Sequence, residues 1–190
     1  MKTSRLESGV LAMTPKRHGI QQLLDAASAQ AAPGAEAKAI TLTVEPTDLT
    51  ARFDPKWTAE ALYNLVDNAV KYTPAGGAVT LRAVGYELFC RVDVTDTGPG
   101  IPESEQARIF QRFYRSPSAS EAEGVGIGLY LARQIAAGQG AALAPLLHLL
   151  GRHQDGPAQL GILRKGGLLF HGVAPAQPCI RLDGQTGQYL

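Results

Sequence analysis

The 190-residue sequence predicts an α+β fold, and three observations carry that prediction. A helix with a well-marked start covers 55–72. Two alternating runs, 78–86 and 87–96, read as a pair of antiparallel strands. A glycine-rich turn over 124–128 then opens a second strong helix that reaches 138. The hydrophobic share is 45%, enough for one domain with a real core.

The bulk properties narrow the function. A net charge of +1 provides no broad basic field, so nucleic-acid binding is excluded as the main activity. No apolar run reaches the roughly 18 residues of a membrane helix, and LAPLLHLLG (143–151) falls short. The start, MKTSRLESG, lacks the apolar stretch of a secretory signal. Two distant cysteines form neither a metal spacing nor a disulfide framework, and a reducing cytoplasmic setting is expected. Cys90 falls on the apolar face of Leu88, Cys90, Val92 and Val94, where packing is its expected role.

In chain order, SRLESGVLAM reads as the end of a longer helix, stopped by Thr14-Pro15. A helix is expected over 20–32, with Ile20, Leu23, Leu24 and Ala27 on one face, ending at Pro33-Gly34. ITLTV (40–44) alternates like a strand, and LTARFD (49–54) is expected to pair with it across the turn containing Pro46. Asp54 then serves as N-cap and Pro55 occupies the first helical position. Leu62, Leu65, Val66, Ala69 and Val70 form that helix's buried stripe up to Thr73-Pro74. Gly76-Gly77 turns the chain into the strand pair, in which Val92 and Val94 face one way and Arg91, Asp93 and Thr95 the other. A loop and short helix (PESEQARIFQRFY) and a small, polar loop (116–123) lead to GVGIGLYLARQIAAG, which Gly138 is expected to close. Residues 139–190 have poor periodicity for helix or strand and carry no motif.

Four constellations could carry chemistry. Asn64, Asn68 and Lys71 lie at i, i+4 and i+7, on the helix face opposite the apolar stripe. They are either a solvated face or a place where a carboxamide oxygen meets Mg²⁺ and a lysine meets phosphate. In DTGPGIP (96–102), Asp96 is either a turn initiator or a carboxylate accepting from an adenine amino group. Gly98 and Gly100 would then let the backbone approach the base. Gly124, Gly126 and Gly128 precede a helix and are either a hinge or a phosphate cradle. Their spacing fits neither the dinucleotide fingerprint nor the P-loop. In IFQRFYRS, Phe110 and Phe113 read as hinge or core anchors, and Arg112 or Arg115 as solvated or phosphate-reaching.

Together and in this order, these pieces resemble the catalytic ATP-binding domain of sensor histidine kinases, within the GHKL group of ATPases. LYNLVDNAVKYTP is similar to the family's N box, DTGPGIP to the first glycine box, IFQRFYRS to the F box and GVGIGLYLAR to the second glycine box, over roughly residues 40–138. The resemblance implies a two-layer α/β sandwich whose mixed, mostly antiparallel sheet is covered by helices on one face. It implies ATP and Mg²⁺ as cofactors. By resemblance, Asn68 is the metal-binding asparagine, Asn64 its polar partner facing the phosphates, Lys71 the phosphate lysine and Tyr72 the aromatic packed on the nucleotide. Asp96 reads the adenine, with Gly98 and Gly100 shaping that wall. Arg115 approaches the γ-phosphate beside a lid over about 113–125, and Gly124, Gly126, Gly128 and Leu129 stand behind that lid.

The chain also departs from the family pattern. None of its four histidines is followed by an acid or lies on an acceptor helix. The expectation is therefore phosphoryl transfer to a histidine domain supplied in trans, with a response regulator downstream in the phosphorelay. The alternatives are a nucleotide-binding regulatory module without transfer and an anti-sigma-type serine kinase. The expected division is 1–13, a remnant of a helical dimerisation domain; 14–138, the ATP-binding domain; and 139–190, a tail that is divergent or frameshifted. In that tail GQGAALAPLLHLLG replaces the family's strand pair and removes sheet that would support Asp96.

Overall fold

A computed structural model describes residues 12–86, 89–116, 124–145 and 165–171. Along the chain run β1 (Lys16–Gly19), α1 (Ile20–Ala37), β2 (Thr41–Val44), β3 (Thr50–Phe53), α2 (Pro55–Tyr72), β4 (Ala78–Gly85) and β5 (Phe89–Asp96). The short α3 (Glu103–Gln106), α4 (Gly128–Gly138), β6 (Ala142–Pro145) and β7 (Lys165–His171) follow. The main sheet has the order β2-β4-β5-β7-β6, and β1 and β3 form a separate ribbon. Only β2–β4 is parallel; β4–β5, β5–β7 and β6–β7 are antiparallel. This is the two-layer α+β sandwich with a mixed, mostly antiparallel sheet.

The helix 55–72 forms as its sequence dictates. Asp54 Oδ1 accepts from Trp57 N at 3.1 Å, satisfying one of the orphan donors of the first turn, and Pro55 begins the helix. Asp54 Oδ2 accepts in addition from Thr14 N at 3.0 Å, tying the incoming chain to the same cap. The stripe Ala61, Leu62, Leu65, Val66, Ala69 and Val70 is buried. It joins Ile20, Leu23, Leu24 and Ala27 of α1, Val79, Leu81, Cys90, Val92 and Val94 of the sheet, and Leu131, Ala132, Ile135 and Ala136 of α4 in one core. Cys90 packs there as expected.

Four expectations are corrected. First, α1 does not stop at Pro33 but continues to Ala37. Proline removes one helical hydrogen bond and costs about 3 kcal/mol. Ala31 and Ala35 nevertheless extend the buried face of Ala27 by further turns. Packing on α2 outweighs local propensity. Second, 40–44 and 49–54 do not pair with each other. β2 lies parallel to β4, with Thr41 opposite Ala78, and β3 pairs with β1, with Phe53 opposite Lys16. The parallel partner is reached only after α2 has crossed over, which no local pattern reveals.

Third, α4 ends at Gly138 as expected, but the left-handed residue that caps it is Gly140, not Gly138. Gly140 takes φ +70, its N–H donates to Ala137 O at 3.1 Å, and Ala141 N donates to Ala136 O at 2.9 Å. Fourth, the sheet does not lose its far strands. Residues 142–145 and 165–171 supply β6 and β7, and β7 lies beside β5 with Lys165 opposite Thr95. KGGLLFH is a short apolar run without alternation, which periodicity alone cannot assign. Residues 1–11, 146–164 and 172–190 lie outside the described residues.

The second face of β5 holds an ion pair. Asp93 is fully buried, and Arg91 is 5% exposed. Arg91 Nη2 donates to Asp93 Oδ2 at 3.1 Å, as does Arg82 Nε at 3.1 Å, and Arg91 Nε stands 2.8 Å from Oδ1.

Candidate functional site

Helix α2 carries the first constellation. Asn64 Nδ2 donates to Glu60 O at 2.8 Å, which fixes the carboxamide against its own helix. Its Oδ1 faces Gly128 at the start of α4, where an added Cβ would lie 3.0 Å from it. The asparagine helix and the second glycine box therefore meet directly, although 64 positions separate the two residues in sequence. Asn68 follows one turn later and is half-buried. Lys71 is exposed, and its Nζ donates to Asp67 Oδ2 at 2.6 Å. Asp67 was not singled out in the sequence, although an acid–base pair at i, i+4 is a readable signal. Tyr72 is 40% exposed at the helix end.

The second constellation joins the far end of this helix. β5 ends at Asp96, and Gly98 N donates back to Asp96 Oδ1 at 2.8 Å, an Asx turn. Gly98 is glycine because of the helix. A Cβ there would stand 2.9 Å from the Tyr72 carbonyl oxygen and 2.7 Å from Asp96 Oδ1. Gly100 takes φ +79, a left-handed conformation that other residues resist. Asp96 and Gly98 thus sit at the C-terminal end of α2, and Gly128 sits at its middle. Eight residues of helix between Asn64 and Tyr72 span about 12 Å.

The F box and the second glycine box form a clasp. Phe113 N donates to Gly126 O at 2.9 Å, with Phe113 at φ +63 and Gly126 at φ +72. A Cβ on Gly126 would lie 2.6 Å from Tyr114 O, so the two segments close together only with glycine there. Phe113 is 56% exposed and is not a core anchor. Phe110 is half-buried, under the Arg133 guanidinium at 5.8 Å from the ring centroid. The Tyr114 phenol is pushed above its ordinary value by desolvation first and the Glu105 charge second, with Arg108 opposing them. It stays neutral at physiological pH. Arg115 and Gly124 are exposed, Gly124 has open space around it, and Leu129 packs against the core. Residues 117–123, the middle of the expected lid, lie outside the described residues.

Among the described residues, no group of three His, Cys, Asp or Glu side chains could hold a metal ion, and no helix is long and apolar enough to cross a membrane. His18 lies on β1 with its ring against Phe53, and His171 lies in β7.

Comparison with known proteins bears on this geometry. The adaptive-response sensory kinase SasA of Synechococcus sp. (strain JA-3-3Ab) is 43% identical over 106 residues, covering 54% of this chain and 28% of that protein. The sensor protein CreC of Escherichia coli (strain K12) is 40% identical over 99 residues, covering 52% of this chain and 21% of that protein. The chain therefore spans less than a third of the length of these relatives. Among solved structures, a mycobacterial sensor histidine kinase MprB superposes with a TM-score of 0.66 at 23% identity, over 84% of this chain and 98% of that one. Residues 53–148, which contain α2, both glycine boxes and the F box, match the family described as histidine kinase-, DNA gyrase B-, and HSP90-like ATPase. With the asparagine helix, the Asp96 turn and the second glycine box meeting as described, the chain belongs to that ATPase family, as a catalytic domain of the sensor histidine kinase kind.

Proposed function

We propose that the chain binds ATP along α2 and supplies the kinase half of a two-component system, transferring phosphate to a histidine on an acceptor domain provided in trans. The observation that carries this reading is the contact of Asn64 with Gly128 at the middle of the helix and of Tyr72 with Gly98, itself bonded to Asp96, at its C-terminal end. A nucleoside triphosphate, base at one end and γ-phosphate at the other, can bridge that interval.

In this reading Asp96 accepts from the adenine amino group, and Tyr72 covers the nucleotide from the helix end. Lys71 neutralises phosphate once it leaves or shares Asp67. The N-terminus of α4, with Gly124, Gly126 and Gly128 before it, offers backbone N–H groups and the positive end of the helix dipole. Arg115 approaches the γ-phosphate from the lid side. The donor set suits a hard cation shared with phosphate: Asn68 would hold Mg²⁺ through its carboxamide oxygen, and nucleotide oxygens would complete the shell. The metal would neutralise phosphate charge. The chain's own residues position the γ-phosphate, because phosphoryl transfer is catalysed mainly by placement and electrostatics. Residues 14–138 form the nucleotide-binding unit in this proposal, to which β6 and β7 add sheet. The response regulator acts downstream of the parent kinase, and the setting is cytoplasmic. The SasA relative is named an adaptive-response sensory kinase, which agrees with this reading.

Calorimetric titration with ATP and Mg²⁺ tests it, comparing wild type with Asp96→Asn. Loss of a hydrogen bond to a charged acceptor should weaken binding at least about tenfold. Equal binding by both proteins would remove Asp96 from the base wall. Labelled phosphate appearing on a cognate helical acceptor would establish transfer, and binding without transfer would favour the regulatory module.

A further inference from the structure

We propose that Lys38 is a positioning residue for the nucleotide site. It clasps the end of α2 and so sets where Lys71, Tyr72 and Asp96 stand. This inference rests on the nucleotide-binding reading above.

An α-helix leaves its last four carbonyls without partners inside the helix. In α2 these belong to Ala69, Val70, Lys71 and Tyr72. Thr73 N donates to Ala69 O at 3.0 Å. Lys38 Nζ donates to Val70 O and to Lys71 O, both at 2.8 Å, and also to Thr73 O. An ammonium has three N–H donors, and all three are spent on this one helix end. The fourth carbonyl, of Tyr72, lies against Gly98. Lys38 also acts through its backbone: its C=O accepts from Gly76 N at 3.0 Å, so the turn after α2 is held from the same residue. Its own place is fixed as the C-cap of α1, where its N–H donates to Ala35 O at 3.2 Å.

The clasp leads directly to the base-reading residue. Lys38 holds the carbonyls of Val70, Lys71 and Thr73. The carbonyl of Tyr72, enclosed between them, touches Gly98, and Gly98 N is bonded to Asp96 Oδ1. A cation at the C-terminus of a helix is also favoured by the helix dipole. Without it, the last turn of α2 is free to fray. That turn carries Lys71 and Tyr72 and supports the Asp96 loop.

The test uses the full chain with Lys38→Arg, Lys38→Gln and Lys38→Met, at a temperature where circular dichroism shows each folded. ATP with Mg²⁺ is titrated calorimetrically, and the amide resonance of Gly98 is recorded without nucleotide. Lys38→Met should weaken ATP binding about tenfold, the equivalent of one hydrogen bond to a charged group. Lys38→Arg, which keeps charge and donors, should bind within about threefold of wild type. The Gly98 resonance should move in the Met variant and hold still in the Arg variant. A folded Met variant that binds as wild type and leaves Gly98 unmoved overturns the proposal. If the Met variant fails to fold, Lys38→Gln carries the same comparison. If both unfold, the lysine serves the fold as a whole and the positioning role is refuted. Absence of ATP binding by wild type would refute the nucleotide reading instead, and the Gly98 resonance would still decide the role of Lys38.

Discussion

Replacing Gly98 by alanine should damage nucleotide binding more than stability, and the structure gives the sizes. The new Cβ would stand 2.7 Å from Asp96 Oδ1 and 2.9 Å from the Tyr72 carbonyl oxygen. Both are closer than real Cβ contacts come, and Gly98 is buried. The carbonyl cannot retreat alone, because it belongs to a helix end held by Lys38. Asp96 stands at the end of β5 and outside that helix end, so the loop and its carboxylate should shift. Overpacking of this kind costs about 1–3 kcal/mol. In a chain of this size, each kcal/mol lowers the midpoint by about 2–4 °C. The variant should stay folded at 25 °C while its affinity for Mg²⁺-ATP falls at least about tenfold.

Gly76→Ala is the control. Gly76 has φ +76 with nothing within 4 Å, so alanine there suffers only the left-handed backbone, about 1–2 kcal/mol. Its ATP affinity should match wild type. Thermal melts and titration calorimetry on the two variants separate the effects. If Gly98→Ala bound ATP as wild type does, the contact between the Asp96 loop and α2 would have slack, and the reasoning would fail.

Asp93→Ala should cost about 3–5 kcal/mol in denaturant unfolding, because it strands Arg91 in a buried site without its partner. Ala39→Gly should raise stability by about 1 kcal/mol, since Ala39 closes α1 at φ +51 with its N–H donating to Glu36 O, a position glycine takes without strain. Asp67→Asn frees Lys71 from a half-exposed pair worth about 0.3–0.5 kcal/mol, so stability should barely change while ATP affinity rises about twofold.

What the sequence disclosed follows from the range of each interaction. The start of α2 was legible because Asp54 and Pro55 act within one turn, and Asp54 does cap Trp57 N. The β4–β5 pair was legible because Gly76-Gly77 and strict alternation are local signals, and Val94 does lie opposite Leu81. β1 escaped notice because KRHG has no alternation and is held by a ribbon partner more than thirty residues away. β2 was given the wrong neighbour because parallel pairing is decided only after a helix has crossed over. In the candidate site, the motifs pointed to Asn64, Asn68, Asp96 and the glycines. They did not disclose the neighbour of each glycine. Gly98 meets a helix carbonyl and Gly128 meets Asn64, and only the assembled fold supplies those partners. Lys38 stands in an unremarkable stretch, AEAKAI, and its three acceptors lie more than thirty positions ahead.

The most direct test of one continuous site along α2 is a nuclear magnetic resonance titration of the full chain with Mg²⁺ and a non-hydrolysable ATP analogue, following the amides of Gly98 and Gly128. Both should shift along a single binding curve with one dissociation constant, because base and phosphates occupy the two ends of one ligand. Movement of only one of them, or two curves with different constants, would contradict a single nucleotide lying between Asp96 and the start of α4.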